Sequence, residues 1–282
     1  MSNTKTFLIT GVSSGLGKAF AAGALAAGHR VIGTARSVEA AASFVALAPN
    51  RAHAALLDVT DFDAIPGMVA KAERAAGPID VLVNNAGYGH EGVLEESPLD
   101  EMRRQFNVNV FGAVAMIKAV LPGMRQRRSG HIVNVTSMGG FITMPGITYY
   151  CGSKFALEGI SEALGKEVQP FGVRVTALAP GQFRTDWAGR SMVRAPRQFP
   201  DYDAVMDPIR ASRQAKSGNQ PGDPAKAAQA LLKLVAAENP PARLYLGADA
   251  LKLVGEKIAA MEAEIAAWES VSCSTAFDLN AR

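Results

Sequence analysis

Residues Thr6–Lys18 read TFLITGVSSGLGK: a short apolar run, then a turn with glycines at 11, 15 and 17, then the start of a helix near Lys18. Glycine at a strand-to-helix turn lets backbone come close to a bound group. The helix start adds free N–H donors and a partial positive charge, which suits a pyrophosphate. Gly11, Ser13, Ser14, Gly15, Leu16 and Gly17 are therefore candidate cofactor-binding residues.

Outward from this turn the same alternation continues along the chain. Apolar or β-branched runs fall at Thr6–Thr10, Arg30–Thr34, Ala54–Asp58, Val81–Asn84, His131–Thr136, Arg174–Ala179 and Arg243–Leu246, with helical stretches between them. Strands too apolar to face water, alternating with helices, predict an α/β doubly wound parallel sheet with helices on both faces. No low-complexity linker or internal repeat interrupts the pattern, so residues 1–282 are expected to form a single domain. Thr185–Gly222 reads as a long irregular stretch, a candidate substrate loop or lid over about 186–222, with Trp187 and Phe199 as apolar contacts or anchors. Asp223 and Pro224 read as the N-cap and first position of the helix that follows. Ala248–Trp268 reads as an amphipathic helix whose stripe of Leu251, Val254, Ile258, Met261, Ile265 and Trp268 serves core packing or a subunit contact.

Two rival motifs share the first turn. Gly11-Val12-Ser13-Ser14-Gly15 matches a hydrolase nucleophile elbow, but that chemistry needs a later histidine and the last one here is His131. An NTPase phosphate loop needs four residues between its glycines and Ser or Thr after the lysine. Gly11 and Gly17 are separated by five, and Lys18 is followed by Ala19. At the end of the second strand Thr34-Ala35-Arg36 offers a guanidinium and no acid, which favours the 2′-phosphate of NADP(H) over the bare ribose of NAD, with Ser13 as a second donor.

The chain carries 29 basic and 26 acidic residues, a balance that argues against a nucleic-acid or anionic-membrane partner. No run of 18 uninterrupted apolar residues is present, so no ordinary membrane span is expected. Met1–Lys5 lacks a signal-peptide core, which predicts a cytoplasmic protein. Cys151 and Cys273 lie far apart with no metal-ligand spacing, and no metal site is expected.

Tyr150 and Lys154 stand four residues apart in YYCGSK, and Ser137 closes the run HIVNVTS. Positions i and i+4 share a helix face, so the ammonium is expected to sit beside the phenol and lower its pKa from about 10 towards neutrality.

With TGVSSGLG, NNAG at Asn84–Gly87, Asn109 in NVNVFG, Ser137 placed 13 residues before Tyr150, Lys154, and PGQFRT at Pro180–Thr185, the chain resembles the short-chain dehydrogenase/reductase family over about residues 5–250. The resemblance implies a Rossmann-type sheet and a catalytic set of Asn109, Ser137, Tyr150 and Lys154. It places Asp58 at the adenine ring, and Asn85, Ala86 and Gly87 at the adenosine. Pro180, Gly181 and Thr185 border the nicotinamide, and Tyr150 and Lys154 contact the cofactor as well. The implied reaction is hydride transfer between NADP(H) and a carbonyl or secondary-alcohol substrate, in which Tyr150 donates the proton and Asn109 holds a water linking Lys154 to solvent. The resemblance also implies a homodimer or homotetramer formed through the helices carrying Asn109 and Tyr150. Arg36, the long loop and the C-terminal helix look like the branch that includes hydroxysteroid and retinol dehydrogenases. The arginines at 190, 194, 197, 210 and 213 are nearly offset by Asp186, Asp201, Asp203 and Asp207 and are read as mostly solvated, which leaves the substrate open. The alternative is a catalytically silent NADP(H)-binding protein used for regulation or assembly; an intact Asn109, Ser137, Tyr150 and Lys154 argues against it.

Overall fold

A computed structural model describes residues 4–189 and 191–277. The strands, in chain order, are β1 (Thr6–Ile9), β2 (Arg30–Ala35), β3 (Ala52–Leu56), β4 (Val81–Asn84), β5 (Gly89–Glu91), β6 (Gly130–Val135), β7 (Val173–Pro180), β8 (Met192–Arg194) and β9 (Arg243–Leu246). The α-helices are α1 (Gly15–Ala26), α2 (Val38–Val45), α3 (Ala64–Ala76), α4 (Leu99–Phe106), α5 (Ala113–Arg127), α6 (Thr148–Val168), α7 (Asp203–Lys216), α8 (Pro224–Ala236) and α9 (Ala248–Cys273).

Seven strands form one sheet in the order β3-β2-β1-β4-β6-β7-β9, every pairing parallel. The doubly wound expectation is met, and each of the seven runs read from the sequence supplies a strand. Successive side chains alternate between the two faces. Phe7 and Ile9 point into one core with Phe20 of α1 and Leu231 of α8, while Leu8 points into the other with Ile65 of α3 and Met116 of α5. Burying each such side chain stabilises the fold by roughly 1.5–3 kcal/mol. The order reverses where β1 lies between β2 and β4, which opens a crevice at the carboxyl ends of the strands.

Capping follows the side-chain chemistry. Ser37 starts α2 by accepting from the Ala40 N–H at 3.2 Å. Asp223 accepts from the Ala225 N–H at 2.8 Å with Pro224 in the first turn of α8, as the sequence predicts.

One expectation needs correction. The 185–222 stretch is not irregular throughout: it contains β8 and the 14-residue helix α7, which tolerates Pro208 in its interior. β8 pairs with β5, joining this segment to the chain beyond β4. The helical run 99–127, which joins α4 to α5 through a π-helical turn at Asn107–Gly112, is by length and composition alone long and apolar enough to cross a membrane, a test that core helices of soluble proteins also pass. Charged residues interrupt it, so a search for unbroken apolar runs passes over it. Val110, Met116, Ile117, Val120 and Met124 are buried in the protein core, as in a core helix. Of the two roles read for the α9 stripe, core packing is small: Val254 is buried, but Leu251, Ile258, Met261, Ile265 and Trp268 are exposed.

Candidate active site

The carboxyl ends of β1, β2, β4, β6 and β7 border a cleft of about 1380 Å³. It brings together Gly11, Ser13, Ser14, Gly15, Leu16, Arg36, Asp58, Asn85, Ala86, Gly87, Ser137, Tyr150, Lys154, Pro180, Gly181 and Thr185. Of the candidate catalytic and cofactor-binding residues, Gly17 and Asn109 do not line the cleft but stand behind its wall, and Phe199 does not line it either.

The glycine turn is held by threonines that the sequence reading passes over. Gly11 and Gly15 have φ of +72° and +56°, a region costly for residues with a Cβ. The Gly11 N–H donates to Thr34 Oγ1 at 3.1 Å, and Thr10 Oγ1 accepts from both the Asn85 and Ala86 N–H groups at 2.9 Å. Asn85 Nδ2 donates back to Thr10 O at 2.9 Å. Asn85 and Ala86 thus clamp the turn to β4 as well as line the cleft. A Cβ on Gly17 would collide with Gly11 O and Asn85 Nδ2, so the first turn of α1 sits directly under the loop. Backbone brought this close, with the start of α1 aimed at the cleft, fits a dinucleotide pyrophosphate.

At the far end Arg36 is exposed and reaches the cleft beside Asp58. Burial works to raise the Asp58 carboxyl, but hydrogen bonds from the Thr60 N–H (2.9 Å) and hydroxyl (2.7 Å), together with the Arg36 charge, hold it below its ordinary range. Among the residues of this corner, Arg36 supplies a cation suited to a phosphate.

The catalytic candidates meet on α6 and the end of β6. Tyr150, Lys154 and Ser137 are all buried. Ser137 Oγ accepts from the Gly139 N–H at 3.0 Å, which fixes its hydroxyl in a short 3-10 turn. Lys154 Nζ donates to Val135 O at 2.8 Å and lies 5.8 Å from the centre of the Tyr150 ring. Burial pushes the Tyr150 phenol up to about 12, against a hydrogen bond with Ser137 that lowers it. Burial likewise brings Lys154 down to about 8, against the charge of Glu158, which raises it. The expected lowering of the Tyr150 pKa by Lys154 is therefore not present: the ammonium lies over the ring and is bonded to a backbone carbonyl, and desolvation dominates.

Asn109 lies in the π-helical turn, a feature often found at functional sites. Its Nδ2 donates to Tyr88 O at 3.1 Å and Ser153 Oγ at 3.0 Å, while Oδ1 accepts from the Tyr88 N–H at 3.1 Å. A Cβ on Gly87 would lie 3.0 Å from Asn109 Oδ1 and 3.7 Å from Lys154 Nζ, which shows how closely the three gather.

Glu158, one turn beyond Lys154, is a buried carboxylate behind the cleft that the sequence reading misses and whose charge acts on Lys154. It is buried, pairs with Arg243 Nε at 2.6 Å, and leaves Oε1 without a partner. The 150-154-158 spacing is the signal that would have found it.

The substrate side is closed by Met144, Ile147, Trp187, Val193 and Ile209. The Trp187 ring stands 5.0 Å from that of Tyr150. Arg194 and Arg197 are exposed, as the sequence suggests, and Arg197 pairs with Asp203 and Asp207, whereas Arg210 and Arg213 are largely covered. Arg213 pairs with the buried Glu91, Arg194 lies 3.4 Å from the same carboxylate, and Arg210 reaches the buried Glu96 at 3.7 Å. Glu96 also accepts the Gln198 and Phe199 N–H groups at 2.8 and 2.9 Å. Arg190 lies outside the described residues.

The short chain dehydrogenase family model matches residues 5–193. The chain is 39% identical to "Oxidoreductase BOA17" of Botryotinia fuckeliana over 97% of its own length and 100% of the relative's. It is 34% identical to "NADPH-dependent 3-dehydrocapnine reductase" of Ornithobacterium rhinotracheale over 71% of its length and 73% of that protein's. A crystal structure of a short-chain dehydrogenase from Streptomyces avermitilis superposes with a TM-score of 0.90 at 42% identity, covering 98% of this chain and 100% of that one. Two more distant structures are described as ElxO with NADP bound (26% identity, TM-score 0.73) and a Burkholderia phymatum protein in complex with NAD (23%, 0.81, alike in fold). The chain belongs to the short-chain dehydrogenase/reductase family. Its relatives are oxidoreductases, and the family binds a nicotinamide cofactor.

Proposed function

We propose that the protein transfers hydride between NADP(H) and a carbonyl or secondary-alcohol substrate. The observation that carries this is one cleft holding Ser137, Tyr150 and Lys154 at one end of a glycine-lined groove and Arg36 at the other. NADPH supplies the hydride that reaches the carbonyl carbon. Ser137 and Tyr150 donate hydrogen bonds to the carbonyl oxygen, and the Tyr150 phenol gives up its proton as that oxygen gains charge. Lys154 bonds the nicotinamide ribose and, as an ammonium, stabilises the tyrosinate left behind. Asn109 contributes its free Oδ1 lone pair to a water that returns the proton from solvent. In the oxidative direction the same groups work in reverse.

Arg36 supports NADP(H), because no acidic side chain precedes it to hold a free 2′-hydroxyl. Asp58 borders the adenine, Thr185 stands against Gly15, and Pro180 and Gly181 flank the nicotinamide end. The apolar wall formed by Met144, Ile147, Trp187 and Ile209 suits a hydrophobic carbonyl compound. The reading includes a cytoplasmic setting, in keeping with the free thiols of Cys151 and Cys273. It also includes a homo-oligomer formed through the helices around Asn109 and Tyr150, whose outer faces expose Phe111 and Phe155. A turnover assay with NADPH and with NADH across ketones, aldehydes and quinones tests it. NADPH-linked reduction of at least one class is expected, and binding without turnover would favour the silent reading.

A further inference from the structure

The last helix leaves the body of the protein. Ala250 and Val254 of α9 are buried among Met138, Ile142 and their neighbours, but every described residue from Gly255 onward is exposed. The helix nevertheless continues to Cys273. Most helical stability in proteins comes from packing an apolar face, and among the described residues this stretch packs none within its own chain. Such a face is present: Ile258, Met261, Ile265 and Trp268 are 45%, 38%, 67% and 64% exposed. Their spacings of three, four and three residues continue from Leu251 and Val254 below them. An apolar repeat averaging 3.5 residues is the pattern that winds against a second helix.

We propose that this projecting part of α9 pairs antiparallel with α9 of a second copy of the chain. The seam is complementary to itself under a two-fold axis. Ile258 falls opposite Met261 of the partner subunit, and Ile265 and Trp268 extend along the partner's helix towards its root. In that register Lys257 flanks the seam on the same side as Glu264 of the partner subunit, and the two-fold repeats the pairing with opposite charges each time. Beyond Leu251 the polar faces carry Lys252 and Lys257 against Glu256, Glu262, Glu264 and Glu269. Helices that lie on anionic membranes carry basic polar faces, so this acidic one favours a protein partner. The contact is separate from the helices around Asn109 and Tyr150, and it does not depend on the cofactor assignment.

Multi-angle light scattering and sedimentation of the full chain test the proposal. Ile265→Glu with Trp268→Glu should halve the particle mass at micromolar concentration while leaving NADPH binding and the melting temperature of the body unchanged. Lys257→Glu alone should weaken association at least tenfold through repulsion by Glu264 of the partner subunit. The double variant Lys257→Glu/Glu264→Lys should restore it. A parallel pairing would set Lys257 against Glu262 of the partner subunit, so failure of this rescue overturns the antiparallel assignment. A native monomer, or a mass indifferent to Ile265→Glu/Trp268→Glu, overturns the pairing itself. So does cosedimentation of the native chain with phosphatidylcholine vesicles that the same variant abolishes at unchanged mass.

Discussion

Lys154 Nζ lies 5.8 Å from the centre of the Tyr150 ring and donates its hydrogen bond to Val135 O. The phenol, pushed up to about 12 by burial, stays protonated across the neutral range. In the proposed reduction it is therefore the group placed to act as the acid. Tyr150→Phe keeps the ring against Trp187 and removes the proton. Reduction should slow by about 10²–10⁴, the usual worth of general acid catalysis, with NADPH affinity within a few-fold of native. Steady-state rates together with fluorescence titration of NADPH check both halves. A variant with near-native turnover removes Tyr150 from the role.

The position of Lys154 predicts an alkaline limb in the rate. Desolvation brings the ammonium down to about 8, while Glu158 works to keep it charged. Reduction that needs the cation should decline as pH rises through about 8. Glu158→Gln should shift that decline to lower pH, and a profile unchanged in the variant would contradict the coupling. Stability runs the other way. The unfolded chain keeps the Lys154 proton up to its ordinary range and the folded one releases it earlier, so this group adds stability as pH rises from about 8 to 10.5.

His131 predicts an acid-side weakness. Its Nε2 meets Thr176 Oγ1 at 3.0 Å, its Nδ1 has no partner, and burial first, then the charges of Arg174 and Lys5, hold its pKa down to about 4. Between pH 6.5 and about 4 the unfolded chain binds the proton more readily, so stability should fall as pH falls through that window, by roughly 3 kcal/mol at about 1.36 kcal/mol per unit. Urea melts at graded pH measure this. His131→Gln should flatten the slope, whatever it does to stability at neutral pH.

Arg36→Asp should weaken NADPH by at least tenfold and leave NADH little changed, because it replaces the charge offered to the 2′-phosphate with one that repels it. Calorimetric titration of both cofactors decides the matter. A native preference for NADH contradicts the assignment.

The segment from β8 to α7 should stay docked while Glu91 and Glu96 keep their partners. Glu96→Ala strands the Gln198 and Phe199 N–H groups and removes an ion partner of Arg210. Hydrogen exchange over residues 192–216 should then quicken and KM for the carbonyl substrate rise, with NADPH binding kept. Equal protection in native and variant proteins would show that the anchor lies elsewhere.

Much of this was legible in the sequence because periodicity and glycine carry local information. Alternating apolar runs placed all seven strands of the main sheet, and Gly11, Gly15 and Gly17 marked the turn. The Tyr150–Lys154 spacing put both side chains in one cleft. What stayed hidden depends on tertiary partners. The direction of the Tyr150 shift follows from how deeply the ring is buried, which spacing does not encode. Arg210 and Arg213 read as solvated because the carboxylates they meet, Glu96 and Glu91, lie about a hundred residues earlier in the chain. The π-helical turn at Asn107–Gly112 adds a residue to a helix with no compositional mark.

The most direct measurement follows the transferred atom. NADPH deuterated on the reactive face of C4, offered with a panel of aliphatic and aryl ketones, should yield an alcohol carrying deuterium on the carbinol carbon and one NADP⁺ for each molecule reduced, with Tyr150→Phe losing the reaction. NADPH oxidised without deuterium reaching the product, or no oxidation with any carbonyl compound despite tight NADPH binding, would contradict hydride transfer at this site.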